Sequence, residues 1–171
     1  MNQKNWKEIK EIFARPSNCP RAGARFLDRA CGSDRELLRT VASLLANSLA
    51  LLEAEHGGTV SALDHLTLAI RNYHNAGDTT TIRVPLASLA ALFDRLGRYE
   101  PAATIAGFAL SPFSAPAVPE ITTAITHLRD VLGDQTYESL ARKGETMTTA
   151  AMATYAYDQI DQARTELERH K

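Results

Sequence analysis

Three histidines, His56, His65 and His74, recur every nine residues, a regularity that invites a metal reading. A zinc pair on one helix needs i, i+4 spacing, because both imidazoles must reach the same ion. Nine residues turn a helix through about 900°, which sends His65 and His74 to opposite faces. They read as surface or boundary residues, and no metal or cofactor is expected. Asp64 and His65 are adjacent, so they cannot share a helix face as a catalytic dyad. Ser and Thr are plentiful, yet no GxSxG elbow or SxxK accompanies them, so no catalytic residue is assigned. Cys19 and Cys31 lack CxxC or zinc-ligand spacing. Cys31 falls in an apolar-periodic stretch with Phe26, Leu27 and Ala30, the setting of a small buried hydrophobe.

Arg21, Arg25 and Arg29 form an i, i+4, i+8 stripe, with Arg35 and Arg39 following. Such a stripe suits either phosphate contact or a solvated helix face paired with acidic residues elsewhere. Residues 1–55 carry nine Lys/Arg against seven Asp/Glu, and the remainder ten against thirteen. The whole chain of 171 residues has a formal net charge of −1, which supplies no long-range attraction to nucleic acid or an anionic membrane. The stripe also lacks the interleaved aromatics that stack on bases. The solvated face is the reading carried forward.

The elements that must position these residues are helices throughout. Only 9 Gly, 7 Pro and 11 aromatics occur among many Ala, Leu and Thr, and no segment sustains period-two alternation. Trp6, Ile9, Ile12 and Phe13 mark a short first helix, and Arg21 to Ala30 a second. Ser33 or Asp34 caps a longer one with Leu37, Leu38, Val41, Leu44, Leu45, Leu49 and Leu52 as its stripe. Gly57-Gly58 ends it. Further helices are expected over Val60–Ala76, around Leu86–Leu96, over Tyr99–Leu110, over Ile121–Val131, over a short Tyr137–Ala141, and from Thr148 onward. Pro112, Pro116 and Pro119 make the best linker in the chain. The charged N-terminus offers no apolar signal-peptide core, and no apolar run approaches the roughly 20 residues of a membrane span. A cytoplasmic, all-α protein is expected.

One stretch shows an internal repeat. In LASLAALFDRLGRYEPAATIAGFAL, Leu86 to Leu110, Leu89 and Phe93 precede a GRYEPA turn, and Ala102, Ala106 and Ala109 follow it. Forty residues earlier Gly57 starts a matching turn, with Ala62, Leu66 and Ala69 at the same offsets. Antiparallel helices pack closely where small side chains let backbones approach. On this pattern Ala102 and Ala106 face the partner helix, and Thr104 faces away. The pattern resembles tetratricopeptide hairpins; a plain helical bundle with Ala-rich seams is the alternative.

Two further resemblances follow from longer strings. HLTLAIRNYHNAG, LFDRLGRYEPAATIAGF and LGDQTYESLARKGETMT, with the Ala-rich helix after them, resemble the helical-repeat tail of mycobacterial LuxR-type or adenylate-cyclase-like signalling ATPases, over about residues 57–167. WKEIKEIF and RFLDRACGSDRELLRTVASLLA resemble the helical leader of bacterial serine/threonine kinases, over about residues 5–50, with Gly23 where that pattern has Arg. Neither catalytic engine accompanies them: GxxxxGK[ST], GxGxxG, HRD and DFG are missing from the sequence.

The resulting organisation is a kinase-leader-like segment (1–55), tetratricopeptide-like hairpins (56–112) and C-terminal helices packing on the repeats (113–171). The first-helix positions that would line a partner groove are Leu44, Asn47, Leu51 and Ala54 in one hairpin and Val84, Ala87, Ala91 and Asp94 in the other. They are mainly apolar, so a helix fills the groove, either one of this chain or a partner's. The expectation is a non-catalytic scaffold or regulatory protein whose partner is a protein such as a kinase or regulator, with homo-oligomerisation open. The alternative is an accessory piece or remnant of a LuxR-type transcriptional regulator. Neither a membrane nor nucleic acid is expected as a partner.

Overall fold

The structure is a computed structural model, and it describes residues 35–169, with side chains from Ala42 onward. The kinase-leader resemblance lies outside the described residues but for its last part, from Arg35 on. Cys19, Cys31 and the Arg21, Arg25, Arg29 stripe are outside them too. Among the described residues every regular element is helical. They are α1 (Arg35–Glu55), α2 (Thr59–Asn75), α3 (Arg83–Arg95), α4 (Tyr99–Ala109), α5 (Ser114–Ala117), α6 (Glu120–Leu132), α7 (Asp134–Glu145) and α8 (Thr149–Arg169). Among the described residues, 42–169 belong to one compact unit.

The two turns 40 residues apart close in the same way. Gly57 and Gly97 adopt φ of 81° and 73°, a left-handed conformation that a Cβ would strain. In each, the following amide reaches back five residues. Gly58 N–H donates to the Glu53 carbonyl at 2.8 Å, and Arg98 N–H to the Phe93 carbonyl at 2.9 Å. This pattern satisfies carbonyls that a helix end leaves open. The next helix then starts identically, with Ala62 N–H on the Gly58 carbonyl and Ala102 N–H on that of Arg98. Ala62, Leu66, Ala69, Ala102, Ala106 and Ala109 are all buried. The break between α2 and α3 is set by Asp78, whose carboxylate accepts from the Thr80 and Thr81 amides at 3.1 and 2.8 Å.

Helix α3 is the centre of the unit. Ten successive residues, Val84 to Phe93, are buried, which requires neighbours on every side. Those neighbours include α2, α4, α5 and α6. Helix α8 folds back onto α2 and α4 with Met152, Ala153, Ala156, Ile160 and Ala163 inward, and Thr148 Oγ1 caps its start by accepting from Ala151 N–H.

Three features differ from the sequence reading. The Pro-rich stretch is packed rather than free: it contains α5, and Ser114 and Val118 are fully buried. Helix α7 runs on past Ala141 to Glu145, because Gly144 serves a contact and not a stop. Thr104 does not face away. It is buried on the side of α4 that meets α7, and its hydroxyl donates to the Glu100 carbonyl at 3.0 Å. There the two backbones touch. A Cβ on Gly107 would collide with the Ala141 backbone, and one on Gly144 with the Thr104 carbonyl.

Candidate functional site

Leu44, Asn47, Leu51 and Ala54 share one face of α1 by their i, i+3, i+7, i+10 spacing. Exposure differs sharply along that face. Leu44 is half exposed, Leu51 and Ala54 are partly covered, and Asn47 is buried with its Oδ1 unpaired. On α3, Val84, Ala87 and Ala91 are buried, and Asp94 is partly exposed.

A narrow crevice unites part of the two sets. Leu51 and Ala54 of α1 face Ala91 of α3 across it, with Ala50, Ser88 and Leu92 in its walls, Leu66 of α2 beside them and Arg95 as its charged member. Val84 and Ala87 are not part of it; both belong to the hydrophobic core. Asp94 is engaged elsewhere, its carboxylate pairing with Nδ1 of His127 on α6 at 2.8 Å. The His127 ring also meets Tyr99 edge-on at 5.7 Å. What remains of the expected groove is narrow and mainly apolar, with α1 as one of its walls.

The histidine series does not converge. His56 Nδ1 bonds the Leu52 carbonyl of its own helix at 2.7 Å, and His65 and His74 are half-buried at separate points on α2. Among the described residues no group of three or more His, Cys, Asp or Glu side chains could hold a metal ion. Four of the perturbed titratable groups are phenols. Burial pushes Tyr73, Tyr137, Tyr155 and Tyr157 upward, with Arg129 opposing at Tyr137 and a Thr104 hydrogen bond opposing at Tyr155. Phenols raised in this way stay protonated at neutral pH.

Sequence reasoning missed the arginines that tie helices together. Arg98, in the second turn, donates to Glu166 at 2.8 Å, Gln159 at 3.0 Å and Gln162 at 3.2 Å, all on α8. Its guanidinium also lies 5.5 Å from the Phe93 ring centroid. Arg164 on α8 donates to Asp64 at 2.6 Å and Thr67 at 3.1 Å, both on α2. Arg83 stacks on Phe108 at 4.5 Å and donates to its carbonyl. The one available signal for Arg98 was its place in the repeat, where the first turn has Gly58.

No family model matches the chain, no curated protein matches it, and no solved structure matches it. Among the described residues no helix is long and apolar enough to cross a membrane.

Proposed function

We propose that this chain is a non-catalytic, tetratricopeptide-like scaffold that binds a protein partner in cytoplasmic bacterial signalling, a kinase or a regulator. The supporting observation is the in-register repeat. At 40-residue spacing Ala62 and Ala69 match Ala102 and Ala109 as buried alanines, with Leu66 at the place of Ala106, behind turns whose left-handed glycine and back-bond the Gly77 turn also shares. Stacked hairpins of this kind present their first helices side by side, which makes a surface suited to a helical or extended segment. The partner-facing residues on this reading are Leu51 in the crevice and the exposed Leu44 on the same face of α1, with Arg95 supplying charge.

Photo-crosslinking in the native cell tests it. A benzophenone amino acid at position 44 or 51 should capture a signalling kinase or regulator, and one at Asp158 or Glu168 on the exposed face of α8 should not. Equal capture from both faces, or no specific adduct from 44 and 51, rejects the reading.

A further inference from the structure

We propose that the corner between α4 and α5 is a two-fold interface at which a second copy of this chain meets the first. The observations begin with charge. Residues 101–119 carry no Asp, Glu, Lys or Arg, in a chain where 23% of residues are charged. Glu100 and Glu120 bound the tract, and Arg83, which reaches this end of α4, is turned inward onto the Phe108 ring and carbonyl. Within the tract the surface is apolar. Phe113 is 52% exposed and Leu110 45%, two of the four large hydrophobic side chains that the described residues leave in water. Pro112 between them and Pro116 beyond are exposed as well.

These side chains are held outward by a fixed backbone. Ser111 and Ser114 exchange bonds, each amide donating to the other's Oγ at 3.0 Å. Ser114 Oγ in turn donates to the Ala109 carbonyl, and Ser114 and Val118 are fully buried beneath. The underside of the corner is thus pinned while Leu110 and Phe113 stand in water. A backbone ordered in advance leaves little but side-chain freedom to lose on association.

The neutrality of the tract selects a second copy as its occupant. Beside a two-fold axis a residue meets its own counterpart, so a charged patch repels itself and an uncharged one does not. The same axis uses every contact twice, which lets a patch of a few residues serve as both halves of the interface. An anionic lipid surface would be held by Lys or Arg beside the apolar tip, and the tract has neither. Two half-exposed side chains and two prolines offer less than the roughly 800 Å² per partner of a standard interface, so the dimer is weak and reversible. The corner shares no residue with the crevice, and the inference does not rest on the scaffold reading.

Sedimentation equilibrium of the full chain, from about 5 to 500 μM, reads the association directly. A monomer–dimer equilibrium with Kd on the order of 100 μM is expected, undiminished in about 1 M salt. Phe113→Asp should weaken it at least about tenfold by setting carboxylates against each other, as should Phe113→Lys with its ammonium groups. An equimolar mixture of the two variants should restore a dimer. Phe113→Ser, expected to weaken the dimer to a lesser degree, serves if a charged variant does not fold. A monomer at every concentration, a dimer indifferent to Phe113→Asp, or no heterodimer in the mixture overturns the proposal. So does flotation of the monomer with phosphatidylcholine vesicles that is lost in Phe113→Asp, which would assign the corner to lipid.

Discussion

Ala102 and Thr104 lie on the same helix, and both are fully enclosed, for different reasons. Ala102 lies in the hydrophobic core, where a Leu must force its neighbours apart. Ala102→Leu should therefore cost roughly 1–3 kcal/mol in chemical denaturation. Phe93→Ala removes a fully buried ring and should cost about 3–5 kcal/mol. Thr104→Ala removes a buried methyl and a satisfied hydroxyl, so about 1 kcal/mol is expected in place of a silent change. Gly144→Ala is the sharper probe. Its Cβ would enter the Thr104 carbonyl, so a loss at or above roughly 3 kcal/mol is expected. A Gly144→Ala midpoint equal to that of the parent would mean α4 and α7 do not touch through their backbones.

At the scale of elements, the turns carry the conformational demand. Gly97 has φ of 73° with no crowding side chain, so Gly97→Ala isolates backbone strain from sterics, at about 1–2 kcal/mol. The Asp78 turn adds a pH dependence. Burial raises its carboxyl, but hydrogen bonds from Thr81 and Thr80 outweigh this and hold it below the ordinary value. A depressed carboxyl contributes stability that is present above its unfolded pKa, about 3.9, and lost as pH falls through the folded value. Asp78→Asn should flatten that acid limb in a Tm–pH series; an unchanged limb would exclude Asp78 as its source. The helix boundaries were legible because Gly57, Gly77, Gly97 and Gly133 each interrupt an apolar period and each does take positive φ. Gly144 defeats the same rule. Inside a helix a glycine signals a near backbone instead of an end, and only the neighbour, unknown to local sequence, decides which.

For the whole molecule, the all-α class follows from periodicity, whereas the candidate site was only partly legible. Leu51, Ala54 and Ala91 meet in the crevice as a shared-face argument expects, but Val84 and Ala87 are core because α3 is enclosed on all sides. Face periodicity says which residues point together; it does not say how many layers of helix cover them. The arginine ties were hidden for a related reason, since Arg98 and Arg164 read as solvated until their partners, about 60 to 100 residues away in sequence, are brought beside them. Charge is the global property that sequence alone decides. Residues 56–171 hold ten basic against thirteen acidic side chains, and the chain as a whole is at −1. Duplex DNA affinity grows with the number of phosphates neutralised, and a chain with this balance releases few counterions on contact. Three of the basic groups within that span, Arg98, Arg129 and Arg164, are already paired to carboxylates of the same molecule. Purified protein should therefore bind duplex DNA near physiological salt no more tightly than about 10⁻⁶ M, without sequence preference. A gel shift that discriminates one duplex from its scrambled counterpart would contradict this, and would turn attention back to the arginine stripe at residues 21–29.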